Sequence, residues 1–365
     1  MTMPPPPSQS QSQSQSQSPI RIGALAPLSK PGWAEAGRHL LTGIELAVGD
    51  SGIPIDLLIR DTAADPAKAT AAVDELADLG AAAIVGEYHS VVARTAAARA
   101  DARGIPFLCS SAVLDTLTEH PTDWVARIAP AQSHCWQVYA DFLLAAGHTR
   151  IAVAAQPTVY WESGTRVLRD RLTSRGATLV EVDITEVCDA LVDSRATALL
   201  LLAGTPEPAV PIVKAVRADA RLTDILIGAP AGQPEFTEWA ELLGADGTGI
   251  PFLSYLPEAL TPLGERVDSA LHERLAGPPS FVAFEGYDTI AVLAEILRTH
   301  GSDRKTIAEA WPHISVEGTR GHIRFSRAPG ISVGIWQWAW PPVQVIDRDP
   351  ADPARIRVRY SGPRS

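Results

Sequence analysis

From Arg21 onward, short apolar runs alternate with amphipathic stretches, and this alternation restricts the fold more than any other feature of the chain. "IRIGALAPL" reads as a buried strand stopped by Pro and a loop. "GWAEAGRHLLTGIELAVGD" reads as a helix with Leu40, Leu41, Ile44, Leu46, Ala47 and Val48 largely on one face. "PIDLLIRDT" is the next strand. "DPAKATAAVDELADLG" is a helix with Asp65 as N-cap, Pro66 at its first position and Gly80 at its stop. "AAAIVGEY", "SVVARTAAARADARG" and "IPFLCSS" continue as strand, helix and strand. This β-α-β-α-β-α-β order at close spacing predicts a parallel sheet covered on both faces.

Residues 119–133, "EHPTDWVARIAPAQS", break the rhythm, with a strand over Trp124–Ile128 leading into a crossing segment. A second unit then spans about 134–248. Its helices are "HCWQVYADFLLAAG", "SGTRVLRDRLTSRG", "EPAVPIVKAVRAD" and "PEFTEWAELLG". Its strands are "RIAVAAQ", "TLVEVD", "TALLLLAG" and "DILIGAP". Helices are expected at 262–276, 281–300 and 303–311, followed by "GTRGHIRFS". The Trp-rich "ISVGIWQWAWPPVQVID" reads as a late strand pair or hairpin, and "RIRVRY" as a weak strand on the surface. The expected fold class is α/β, with two doubly wound parallel-sheet lobes. A chain of 365 residues suits two lobes, since single cores rarely grow past roughly 250–300 residues.

Net charge is −11, which argues against a nucleic-acid surface with its clustered Lys and Arg. Cys109, Cys135 and Cys188 include no CxxC pair, so they read as free thiols rather than a disulfide framework or a zinc site. The opening "MTMPPPPSQSQSQSQSQS" has no basic region, apolar core, cleavage box or lipid-anchor Cys. Residues 1–19 are expected to be a disordered Pro/Ser/Gln tail. As it reads, the chain is cytoplasmic; a removed export signal would make it extracytoplasmic. No apolar stretch reaches about 18 residues, so no membrane insertion is expected. HExxH, Walker-type, GxGxxG and GxSxG motifs are missing, so neither metal, cofactor nor catalysis is expected. His89 beside Ser90 does not make a nucleophile pair, because adjacent residues rarely aim at one another.

In open parallel sheets, ligands bind outside the carboxyl ends of the strands. Helices begin there with unpaired N–H groups and partial positive charge. The strands over 83–85 and 105–108 end at such points, which places Ser90, Ser110 and Ser111 to hold a carboxylate, amide or urea oxygen. The same serines also fit as helix N-caps. Trp33, Tyr160 and Trp161 are candidates to cover a planar ligand part, or to serve as packing alone.

The segments "IRIGALAPLSKPGWAEAGRHLLTGIELAV", "DTAADPAKATAAVDELADLGAAAIVG", "GIPFLCSSA", "FEGYDTIAVLAEILR", "GTRGHIRFS" and "WQWAWPPVQVI" carry a likeness. In order and spacing they resemble the leucine/isoleucine/valine-binding protein family, the type I periplasmic binding proteins that serve ABC importers. The resemblance implies a two-lobe clamp joined by three crossing segments, near residues 130, 250 and 325, with one ligand in the cleft. It divides the chain into 20–130 plus 251–325, 131–250 plus 326–347, and a C-terminal surface segment 348–365.

By the same resemblance, Ser90 takes the place of a carboxylate-binding Ser and Ser111 that of a backbone donor, while Val113 stands where a Thr is expected. Tyr160, followed by Trp161, corresponds to an aromatic position in the second lobe, and Thr205 to a later Tyr. The acid that receives an α-amino group should lie in "IGAPAG", where this chain has Ala229 and Pro230. An ammonium in a closed cleft without a carboxylate loses several kcal/mol of solvation. Glu87 and Glu207 stand as substitutes, or as exposed loop residues. "VGEYHS" also resembles the loop of the cytosolic amide-sensing branch, with Tyr88 and Ser90 facing an amide and His89 between them. The implied function is capture of an amino-acid-like, amide, urea or aromatic-acid ligand by hinge closure, without catalysis. The implied partner is an ABC permease, or a cytosolic regulatory protein if the chain is a sensor.

Overall fold

The structure, a computed structural model, describes residues 18–31, 33–328 and 334–362. Most of the expected N-terminal tail lies outside them. The chain opens with β1 (Ile20–Ala26), α1 (Ala34–Asp50), β2 (Ile55–Asp61) and α2 (Pro66–Asp78). It continues through β3 (Ala83–Gly86), α3 (Ser90–Arg103), β4 (Phe107–Cys109) and β5 (Val125–Arg127). The second set is α4 (Gln132–Ala145), β6 (Arg150–Ala155), α5 (Val159–Thr173), β7 (Thr178–Glu181) and α6 (Val187–Ser194). Then come β8 (Ala198–Leu202), α7 (Ala209–Ala218), β9 (Leu226–Gly228) and α8 (Thr237–Leu243). A return segment holds β10 (Phe252–Ser254), α9 (Pro262–Arg274), α10 (Phe281–Thr299) and α11 (Arg304–Ala310). The chain closes with β11 (Ser315–Glu317), β12 (His322–Ser326), β13 (Trp336–Trp338), β14 (Gln344–Asp349) and β15 (Asp352–Ser361).

Among the described residues these strands form three sheets, ordered β11-β12-β13-β5-β4-β3-β1-β2, β7-β6-β8-β9 and β10-β14-β15. The pairs from β1 to β5 are parallel, as are those from β6 to β9. The two doubly wound lobes are therefore present. Strands β3, β4 and β8 are buried throughout, which is why they read as continuous apolar runs. Asp65 accepts from Ala67 N and Lys68 N as the cap of α2, as the sequence predicts.

Several details differ from the sequence reading. Helix α5 begins at Val159, ahead of the expected Ser163, because Thr158 Oγ1 accepts from Trp161 N and caps it. Helix α6 was not expected at all. Helix α8 starts at Thr237, after a short 3-10 turn over Gln233–Glu235. Strands β13 and β14 are not a hairpin: β13 pairs with β5 and β12, and β14 with β10 and β15. Pro341 and Pro342 lie between them and bring no N–H to a ladder. Residues 336–338, expected with the second lobe, thus belong to the first sheet, and the last passage between sheets follows residue 338 instead of lying near 325. Strand β15 does more than cover the surface, since Arg357 and Arg359 both bond the buried Asp347.

Gln337 on β13 links two passages. Its Nε2 donates to Ala129 O at 2.7 Å, and its Oε1 accepts from Arg127 Nε at 2.6 Å. Cys109, Cys135 and Cys188 are free. No helix among the described residues is long and apolar enough to cross a membrane.

Helices α1 and α10 touch through glycines. A Cβ on Gly43 would stand 1.8 Å from Ala283 O, and one on Gly286 would stand 2.2 Å from Leu40 O. Gly43→Ala is expected to lower unfolding stability by about 2 kcal/mol in urea titration, because the helices must part. Gly49→Ala, on the same helix with open space around it, is expected to raise stability by about 0.5–1 kcal/mol.

Candidate ligand cavity between the two parallel sheets

The carboxyl ends of β3 and β4 face those of β6, β8 and β9 across a cavity of about 340 Å³. The first sheet contributes Trp33, Tyr88, His89, Ser90, Ser111 and Val113 to its wall. The second contributes Tyr160, Trp161, Gly204 and Ala231. Trp33, Tyr88, His89, Ser90, Ser111, Tyr160 and Trp161, singled out from sequence, thus come together. Ser110 is fully buried behind Ser111, whose hydroxyl donates to it at 3.3 Å. Thr205 faces a neighbouring cavity instead.

Ser90 is not the cap of α3. His89 holds that position without a side-chain capping bond, its Nε2 accepting from Trp33 N at 3.3 Å instead, and Ser90 begins the helix itself. Ser90 Oγ accepts from Val113 N and Leu114 N, each at 3.3 Å, so it ties the loop after β4 to α3. Arg127, 1% exposed, holds the same loop from behind, donating to Leu114 O at 2.6 Å.

Glu87 is buried and turned away from the cavity. It accepts from Thr62 Oγ1 at 2.8 Å and from Tyr88 N and His89 N at 2.9 and 3.0 Å. Burial pushes its carboxyl up to about 7 against those bonds. Glu207 is exposed and not in the wall. Neither replaces the acid missing at Ala229 and Pro230. The wall carries no carboxylate, Lys or Arg. His89 is pushed down to about 4 by burial and is neutral at pH 7.

Sequence reasoning missed Tyr255 and Phe281, which complete the wall with ring centroids 4.6 Å apart. Both come from the return segment, and their only sequence signal was an aromatic at the start of α10. It also missed three acids behind the wall. Glu235 Oε1 accepts from Phe281 N at 3.0 Å, while Oε2 has no partner; burial pushes this carboxyl up to about 8. Glu285 lies 3.1 Å from Arg320 Nη1, and Asp288 2.9 Å from Arg320 Nε, all three side chains fully buried. Burial pushes Glu285 up to about 7, opposed by Arg320 and by the Ser111 hydroxyl.

Contacts cross the cavity rim. Phe236, beyond β9, lies 5.6 Å from Trp33 and 6.1 Å from Tyr88 by ring centroids. Glu35 accepts from Thr237 N and Oγ1 at 2.9 and 2.7 Å, and Lys30 lies 3.3 Å from Glu238.

Two parallel sheets with a cavity between their carboxyl ends define a solute-binding clamp. A profile of the periplasmic binding protein family matches residues 19–332. The chain belongs to this family of solute-binding proteins. A leucine-binding protein from Thermotoga maritima is similar at 20% identity, with TM-score 0.80, covering 94% of this chain and 98% of that one. An ABC-transporter solute-binding protein from R. palustris, in complex with benzoate, matches at 19% identity and TM-score 0.78, covering 94% and 96%. A branched-chain amino acid transporter binding protein from Streptococcus pneumoniae, in complex with isoleucine, matches at 18% identity and TM-score 0.78, covering 93% and 99%. A search of curated proteins gives no match.

The raised carboxyls fix a pH dependence. Glu235 stays protonated in the folded chain to about 8, while its unfolded counterpart ionises near 4.5. The folded state therefore binds more protons, and stability falls as pH rises toward 8. The histidines whose folded pKa is lowered by burial oppose this only while their unfolded counterparts titrate, up to about pH 7.5. Between about pH 6.5 and 8 the melting temperature of the unmodified chain is expected to fall relative to that of Glu235→Gln, in which the histidine contribution is the same, as read by calorimetry.

Proposed function

We propose that this chain is the substrate-binding component of an ABC importer and captures a small aromatic acid by closure of its two lobes. The observation that carries this reading is the uncharged cavity wall: aromatic rings on both sides, two serine hydroxyls, and no carboxylate to receive an α-ammonium. A carboxylate head fits against the Ser111 hydroxyl and the first amide groups of α3, where helix N–H groups and the dipole favour an anion. Trp33, Tyr88, Tyr160 and Trp161 would cover its ring. Glu87 and Glu285, held near 7, stay largely protonated at mildly acidic pH and then oppose an anion less. The benzoate complex of the R. palustris protein, and a further R. palustris relative with 3,4-dihydroxybenzoic acid, support this class. Binding proceeds without turnover, and the permease reads the closed form on the extracytoplasmic side.

A second reading rests on Tyr88 and Ser90 lining the same cavity. Such a pair suits an amide ligand, and with it a cytosolic sensor acting on a regulatory partner.

A thermal-shift series with benzoate, 3,4-dihydroxybenzoate, benzamide and leucine separates these. A ligand at about 100 times its Kd adds about 2.7 kcal/mol of stability. Benzoate is expected to stabilise the chain and leucine not; stabilisation by leucine alone would defeat the aromatic-acid reading, and by benzamide alone would favour the sensor. Ser111→Ala is expected to remove the benzoate shift and, by leaving buried Ser110 and Glu285 without its hydroxyl, to lower ligand-free stability by about 1 kcal/mol. Ser90→Ala should lower ligand-free stability as well, by about 1 kcal/mol, since it frees two loop amides.

A further inference from the structure

A second cavity, of about 680 Å³, lies against Trp33, which contributes to the walls of both. One side is α1 and the segment after α9; the other is Thr205, Gln233 and α8. Gln233 is 2% exposed. Its Nε2 donates to Ala203 O at 2.9 Å, which settles the amide orientation, since a flip would set two acceptors against each other. Gln233 Oε1 is then a buried acceptor without a partner, and Thr205 Oγ1 in the same wall has none either. Such atoms are rare in folded proteins, because lost hydration goes uncompensated. They call for a donor: a hydroxyl or an amide N–H.

The rim does not favour a net charge. Lys30, Arg38 and Arg274 stand among Glu35, Glu45, Glu238 and Glu241, so the two signs nearly balance. Trp33 and Trp239 add ring surface to the walls. Mixed charge, unpartnered acceptors and aromatic faces together suit an uncharged, hydroxyl-rich group, whose C–H face packs on rings while its hydroxyls bond the rim.

We propose that this cavity is an outer subsite for the uncharged, hydroxyl- or amide-bearing tail of a ligand whose aromatic head lies in the inner cavity. The proposal rests on the aromatic-acid reading above. It assigns Gln233 and Thr205 as specificity residues for ligand length, which the inner cavity alone does not distinguish.

The test is titration calorimetry of the full chain with 4-hydroxybenzoate and with its 4-O-β-glucoside. The glucoside is expected to bind about tenfold tighter than the bare acid. Gln233→Leu and Thr205→Val should each erase most of that margin while leaving 4-hydroxybenzoate within about twofold of its original affinity. Thr205→Val keeps the shape and carries the test if Gln233→Leu does not fold. Equal or weaker binding of the glucoside by the unmodified chain overturns the outer subsite and leaves the inner one standing. Variants that weaken both probes alike overturn it too, since Gln233 then acts only through Ala203. Binding of neither probe by the unmodified chain defeats the aromatic-acid reading and this proposal with it.

Discussion

The architecture depends on the approach of α1 to α10 at Gly43 and Gly286, where neither position has room for a methyl group. Trp33 immediately precedes α1, and Phe281 is the first residue of α10. Bringing the helices together brings both rings to the cavity. Ser280 N donates to His39 Nδ1 at 3.1 Å and fixes the register of the two helix starts. From there the wall reaches the other half of the molecule, through Phe281 N to Glu235 and through Trp33 to Phe236. A backbone contact in the first lobe thus sets side chains that meet the second.

Electrostatics is arranged behind the wall rather than in it. Glu87 and Glu285 are buried and Glu235 is largely so, and desolvation raises each of them. Glu285 and Asp288 share one guanidinium, that of Arg320, whose charge also lies 5.0 Å from the Trp338 ring. Two fully buried acids against one base favour keeping a proton on one of the acids. The cavity wall therefore presents hydroxyls and ring faces in place of charge.

Much of the fold was legible because its signals are local. Buried parallel strands read as apolar runs, and the Asp65–Pro66 start of α2 needs only its own backbone to form. Ser90 and Ser111 were singled out by the rule that ligands gather at strand ends, and Tyr88 by the resemblance of its loop to the amide-sensing branch; all three line the cavity. What escaped depends on distant chain. Ser90 read as a ligand-binding hydroxyl or a cap, but its oxygen accepts from the amides at 113 and 114. Tyr255 and Phe281 reach the cavity only after the chain has returned from the second lobe. Glu87 looked like an exposed loop acid, yet Thr62 and the next two amides draw it inward. The Trp-rich stretch before Asp347 looked like one hairpin because adjacent strand signals do not reveal which sheet each will join.

Gln337 has a mechanical meaning. By holding Ala129 and Arg127 from the neighbouring strand, it locks the two chain exits of the first sheet into one stiff collar. Any swing of one half against the other must bend beyond Ala129 and beyond Trp338, on the far side of that collar. In the proposed closure the bend is expected there, and not within the first sheet.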